Sequence, residues 1–192
     1  MTRLLVIRHG ETDWNAEARL QGQRDVPLND VGRGQAADVG TRLRGLVPAY
    51  GELDYVSSPL SRARDTMEGL RAALALPSDA YRLDDRLKEL SFGRWEGLTW
   101  REIRSREANM TTVRARDKWT FVPPGGESYA MLAERVAPAL ADLKRDAVIV
   151  SHGGVARVLL HLLGDMPPHQ ASVADIWQGK VLVFGPDAHV WA

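Results

Sequence analysis

LLVIRHGETDWN, residues 4–15, begins with four apolar residues in a row and then sets Arg8, His9 and Gly10 side by side. An apolar run without polar alternation fits a strand buried on both faces, the kind found in parallel sheets between helices. AVIV (147–150) reads the same way most clearly, LDYV (53–56) is a second strand, VLVF (181–184) is the last, and Tyr81–Leu83 reads as a weaker strand. Helical spacing fills the gaps between them. Asn29 and Asp30 can cap a helix whose apolar stripe is Ala36, Val39, Leu43 and Leu46. A second helix opens with Ser58 as N-cap and Pro59 at its first position, and carries Leu60, Ala63, Met67, Leu70 and Leu74. Tyr129, Leu132, Val136 and Leu140 mark a third, and Val155, Val158, Leu159 and Leu162 a fourth. Strands alternating with helices predict an α/β fold, a three-layer sandwich with a largely parallel central sheet. Residues 91–125 are less regular; they hold Trp95, Trp100 and Trp119 and many arginines, and read as a small insertion or lid on a single domain spanning 1–192.

Composition narrows the function. The 192 residues are 44% apolar and 26% charged, enough for a real core. Formal charge is zero at pH 7, which argues against a sequence-blind nucleic-acid or membrane-surface binder. The chain has no cysteine, and so no disulfide, thiolate metal site or cysteine nucleophile. No targeting segment or membrane span is expected, because the apolar runs are too short. These readings describe an intracellular, cytoplasmic protein, with a homodimer left open as its assembly.

Ligands of open α/β sheets bind beyond the carboxyl ends of the strands. Three expected strands end in unusual chemistry: Arg8-His9-Gly10, Ser57-Ser58 with Arg62 soon after, and Ser151-His152-Gly153. If those strands are parallel neighbours, two arginines and two imidazoles meet at one sheet edge, an arrangement that is costly unless it holds an anion. Helices beginning after Ser58 and at Gly153 add amide donors and positive dipole ends. The planar fork of arginine matches two phosphate oxygens at once, so phosphate is the expected ligand. A neutral imidazole attacks phosphorus at pH 7 without an activating base if its other nitrogen is held as a donor. Gly10 lets the chain turn and approach closely. A metal centre on His9 and His152 is disfavoured: no local histidine pair is present and the arginines repel a cation. By themselves, Arg62, Arg64 and Arg71 read as solvated helix residues, His161 as packed or half-exposed, and His169 as a loop residue. The lid cations Arg101, Arg104, Arg106, Arg114, Arg116 and Lys118 suit either an anionic substrate or a solvated charged face.

RHGETDWN, QRDVPLNDVGRGQA, VSSPLSRARDT, LKELSFGRWEG, PPGGES and VSHGGV follow one another in an order that resembles the histidine phosphatase superfamily, the phosphoglycerate mutase-like proteins. The resemblance covers nearly the whole chain. It implies that His9 is the nucleophile, that Arg8 and Arg62 clamp the phosphoryl oxygens, and that His152 stabilises charge opposite. It implies Glu89 as general acid and then base, a choice the residue pattern alone does not make over Glu11, Glu96 or Glu127. Asn15 is implied at the pocket wall, with Gly153 beside the phosphate. No metal or cofactor is implied, because arginine and histidine cations fill the place Mg²⁺ holds elsewhere.

The resemblance also implies that mutases cover their site with a longer insertion and a C-terminal tail. Here about 28 residues separate Gly97 from Gly125 and the last expected strand ends close to Ala192. The expected activity is therefore hydrolysis of small phosphate monoesters, in the manner of α-ribazole phosphatases or broad-specificity phosphomonoesterases. Phosphoglycerate mutase activity is the alternative. A catalytically silent phosphate-binding module is disfavoured because Arg8, His9, Arg62, Glu89 and His152 are all present.

Overall fold

The computed structural model describes residues 3–185 and 189–192. Its centre is β1 (Leu4–Arg8), whose side chains alternate between two buried faces. After β1 come a short helix α1 (Asp13–Ala16), the long α2 (Asp30–Leu46), β2 (Asp54–Ser57), α3 (Ser61–Ala73) and β3 (Arg82–Leu83). Two short helices, α4 (Trp100–Arg106) and α5 (Ala108–Arg116), occupy the segment expected as an insertion. The chain continues through α6 (Tyr129–Ala141), β4 (Ala147–Ser151), α7 (Gly153–Leu162), α8 (Pro168–Ala171), β5 (Val181–Phe184) and β6 (His189–Trp191). The sheet order is β3-β2-β4-β1-β5-β6. The first four of these strands run parallel, while β5 is antiparallel to β1 and β6 to β5.

Helices cover both faces, which makes the three layers. Leu5, Ile7, Val148 and Val150 pack on one side against Val39 and Leu43 of α2 and Met67 and Leu70 of α3. Leu4, Val6, Ala147 and Ile149 pack on the other against Leu132 and Val136 of α6 and Val158 and Leu159 of α7. Each large aliphatic side chain buried in this way stabilises the fold by about 1.5–3 kcal/mol relative to exposure.

Register does the positioning. Arg8 lies opposite Ser151 and Ser57 opposite Val150, so three chemically unusual strand ends finish at one level. The ladder runs one step further, with His9 N–H donating to Ser151 O at 2.9 Å and Ser58 N–H to Val150 O at 3.0 Å.

Several sequence expectations are corrected. Helix α3 starts at Ser61 after Leu60, so Ser58 is not its cap and Pro59 is outside it. The cap comes instead from Asp25, whose Oδ1 accepts from Ser61 N–H at 2.8 Å and Ser61 Oγ at 2.7 Å. A tertiary contact therefore replaces the local one. VLVF is not the last strand, because β6 pairs beyond it. Leu46 is 37% exposed rather than part of the buried stripe, since α2 ends there. Arg71 is buried, its guanidinium 4.4 Å from the Tyr55 ring centroid and its Nε donating to Pro77 O.

Helices α2 and α3 cross at Gly40. A β-carbon there would lie 2.5 Å from Leu70 O and 2.8 Å from Ala73 Cβ, whereas Gly34 of the same helix faces open space. Gly40→Ala is expected to destabilise the protein by about 1–3 kcal/mol through overpacking. Gly34→Ala is expected to stabilise it by about 0.5–1 kcal/mol through helix propensity. Urea denaturation of the two variants checks the opposite signs.

Candidate active site

Beyond the ends of β1, β2 and β4 lies a hollow of about 280 Å³ lined by Arg8, His9, Arg62, Glu89 and Gly153, with Asn15, Gln21, Trp100 and Arg157 among the other wall residues. His9 forms part of its floor and is 3% exposed. Its Nδ1 is 2.7 Å from Gly10 O and donates there, which leaves the Nε2 lone pair free. Gly10 is required for this turn: a side chain would overlap the backbone of Gly32 at the start of α2. Burial, then the charges of Arg62 and Arg8, hold the His9 imidazole well below its ordinary pKa, so the ring is neutral at pH 7.

The cations are held by backbone rather than by carboxylates. Arg62 is fully buried, with Nη1 donating to Arg24 O at 2.7 Å and Nη2 to Gly22 O at 2.8 Å. Burial draws its pKa down to about 10, opposed by Glu89 and Asp25, and it remains charged at neutral pH. Arg8 Nη1 donates to Ile176 O at 2.9 Å, and its pKa is likewise lowered by burial. The Nε atoms of both arginines are buried without a hydrogen-bond partner. His152 precedes the first turn of α7, with its ring centroid 5.3 Å from that of His9. Its Nε2 is 2.7 Å from Ser58 Oγ, and its buried Nδ1 has no partner. Burial, with Arg62, His9 and Arg8, lowers its pKa well below the usual value. Two arginine donors and one imidazole nitrogen are thus left for a ligand rich in oxygen.

Glu89 turns its carboxylate onto the N-terminus of α7. Oε1 accepts from Gly154 N–H at 2.9 Å and from Leu90 N–H at 2.8 Å. The Gly154 amide, one of the donors at this helix start, is therefore occupied by the carboxylate. Arg135 fixes the strand of chain behind Glu89 by donating to the carbonyls of Arg86, Lys88 and Glu89, and Glu127 of the PPGGES segment grips Arg135 at 2.8–2.9 Å. Ser128 caps α6. Asn15, a wall residue of the hollow, accepts through Oδ1 from Thr12 and from Gln178 Nε2. Of the tryptophans, Trp100 lines the hollow, Trp95 is buried against Phe121, and Trp119 stacks on Tyr129. Among the described residues no cluster of three or more His, Asp or Glu could hold a metal ion, and no helix is long and apolar enough to cross a membrane.

Two wall residues, Gln21 and Arg157, and one residue behind the wall, Gln178, were not expected from the sequence. Gln21 is buried with an unpartnered Oε1, Gln178 donates to His9 O at 3.2 Å and Arg157 stands one turn into α7. Arg157 was detectable, because it lies four residues after Gly153 on one helix face. Gln21 and Gln178 sit in loops whose only signal is three-dimensional.

A neutral imidazole at the end of a central parallel strand, between buried arginines and facing a carboxylate, defines an α/β protein built to bind and transfer a phosphoryl-type anion. The chain belongs to the histidine phosphatase superfamily (branch 1), whose model matches residues 4–192. It is 36% identical over 178 residues to a glucosyl-3-phosphoglycerate phosphatase of Mycobacterium tuberculosis, covering 86% of this chain and 76% of that one. It is 34% identical over 168 residues to a metal-independent phosphoserine phosphatase of Arabidopsis thaliana, covering 83% of this chain and 67% of the relative. A mycobacterial glucosyl-3-phosphoglycerate phosphatase solved with VO3 superposes with a TM-score of 0.83 at 31% identity, covering 100% of this chain and 97% of that one.

The two depressed histidines link the site to stability. Unfolded imidazoles take up protons below about pH 6.5, while folded His9 and His152 resist them, so stability is fully present above that pH and is lost as pH falls. The loss is expected to reach about 1.4 kcal/mol per pH unit for each ring. Urea midpoints measured from pH 7.5 to 5.5 should fall less steeply for His152→Gln than for the wild-type protein. An identical slope would show that His152 is not excluded from protonation.

Proposed function

We propose that this chain is a phosphomonoesterase that hydrolyses small phosphorylated metabolites through a phosphohistidine on His9. The observation that carries the reading is the His9 ring itself: Nδ1 is tied to Gly10 O, and Nε2 is left free on a floor shared with Arg8 and Arg62. In the first step Nε2 attacks phosphorus in line, the P–O bond to the alcohol breaks, and Glu89 protonates the departing oxygen. In the second step Glu89 takes a proton from water. The hydroxide oxygen attacks phosphorus, the P–N bond breaks, and phosphate leaves with His9 neutral again. Arg8, Arg62 and Asn15 bind the equatorial oxygens. His152, bound to Ser58 through Nε2, offers Nδ1–H once the phosphate anion supplies the charge that favours its protonation. Most of the acceleration comes from positioning and fixed charge. Segment 91–125 serves as the lid of a single domain. The cytoplasm, where small phosphate esters are kept, is taken as the compartment. The phosphatase names of the two relatives described above support hydrolysis.

His9→Ala is expected to lower kcat for p-nitrophenyl phosphate by more than about a thousandfold. Glu89→Gln is expected to slow alkyl phosphates about 10²–10³-fold and p-nitrophenyl phosphate far less, because a good leaving group needs little protonation. Steady-state rates on the two substrate types check the split. Rapid-quench labelling should place the phosphoryl group on His9, and finding it on another side chain would overturn the mechanism. Activity should survive EDTA and be inhibited by orthovanadate.

A further inference from the structure

The cup occupies the carboxyl end of the sheet, and a separate hollow of about 460 Å³ opens at the amino end. It lies where β2 and β3 begin, at Asp54 and Arg82, and Tyr55, Arg71, Asp79 and Tyr81 are among its walls. The two hollows share no wall residue.

Arg71 is the residue that catalysis leaves unexplained. It comes from the last turn of α3, and only 4% of its surface is exposed. Covering a guanidinium so fully is costly unless its donors are taken up. Its carbon lies 4.4 Å from the Tyr55 ring centroid, and Nε donates to Pro77 O at 2.8 Å. Nη1 and Nη2 have no hydrogen-bond partner among the described residues, and both are open to the hollow. Burial is the largest influence on its pKa and lowers it, yet a guanidinium stays charged at neutral pH.

The surroundings do not supply the missing acceptor. Among the described residues no carboxylate lies within ion-pair distance of Arg71, and Asp79 acts on its charge from further away. Asp54 is taken by Arg82 at 3.3 Å. The phenols donate elsewhere, Tyr55 to Tyr50 O and Tyr81 to Glu68. Arg145, an exposed wall residue, also has no ion pair among the described residues. Three cations thus face two carboxylates, one of which is already paired. Two donors of one planar fork, braced on a ring and open to the same space, match two oxygens of a carboxylate or phosphate.

We propose that this hollow is a second ligand site, separate from the catalytic one, in which the Arg71 fork binds the carboxylate or phosphate of a small molecule and Arg145 supplies a second cation. Folding brings Tyr55 of β2 against Arg71 of α3, so the ligand binds the folded chain alone and stabilises it by mass action. The site stands or falls independently of any phosphohistidine on His9.

Amide proton–nitrogen correlation spectra of the full-length protein, at pH 7 and constant ionic strength in sodium chloride, locate the binding. Inorganic phosphate probes one source of the anion and malonate the other. At least one of them is expected to shift the amides of Gly51, Tyr55 and Arg82 saturably, with a Kd of about 1 mM or lower. Phosphate should also produce a separate response at Gly10 and Gly153 in the cup. Arg71→Met is expected to weaken the first response about tenfold or more and leave the second unchanged. Asp79→Asn should strengthen the first about threefold and Arg145→Gln weaken it about threefold. Both side chains are exposed, so these two variants carry the test if Arg71→Met does not fold. Saturation by phosphate alone assigns a phosphate ester, and saturation by malonate alone assigns a carboxylate. Shifts that do not saturate, that chloride reproduces, or that the substitutions leave unmoved overturn the site. A saturable response in a protein that hydrolyses no ester keeps this site and removes the phosphatase reading; an active enzyme without the response does the reverse.

Discussion

The parallel register of β2, β4 and β1 is the constraint on which the site depends. It brings Ser57, Ser151 and Arg8 to one level, and the residues just beyond inherit that alignment. A slip of one residue would turn each side chain to the opposite face of the sheet. His9 would then leave the hollow and Leu5 and Ile7 would exchange helix layers with Leu4 and Val6. The two cores on either side of the sheet therefore specify the chemistry, because they allow only one register to bury both faces.

Within that frame the electrostatics has a division of labour. The arginines remain charged although buried, since backbone carbonyls take up their donors and a guanidinium loses its proton only at high pH. The histidines yield instead and become neutral. One buried neighbourhood thus holds fixed positive charge beside a neutral imidazole. In the proposed reaction an approaching phosphate meets cations first and an available lone pair second, with neither group needing to change its protonation beforehand.

The sheet and the convergence of Arg8, His9 and Arg62 at one hollow were legible because they lie where the chain has a strict period or a sharp composition change. LLVI, AVIV and VLVF are uninterrupted apolar runs, and two of the three chemically unusual strand ends, Arg8-His9-Gly10 and Ser151-His152-Gly153, follow runs of this kind. What escaped the sequence is tertiary. Asp25 caps α3 from thirty-six residues away, which hid the true start of the helix. Arg71 reads as solvated until Tyr55 is placed beneath it. Strand β6 has three residues and gains its identity from pairing with β5. Gln178 reaches His9 from far along the chain, with no local pattern to announce it. Glu89 was singled out only through resemblance; in the structure its carboxylate rests on the first turn of α7.

The turn from Gln21 to Asp25 has a kinetic meaning. Two of its carbonyls fasten the Arg62 guanidinium, and its aspartate fastens the first residue of the helix that bears Arg62. The clamp is therefore a closed loop of contacts with no slack at either end. Reorganising it for each substrate is unnecessary, because folding has already arranged it. The wall around Trp100 is braced separately, by Arg19 on Gly97 O and Glu102 and by the Thr99–Glu102 capping box that opens α4.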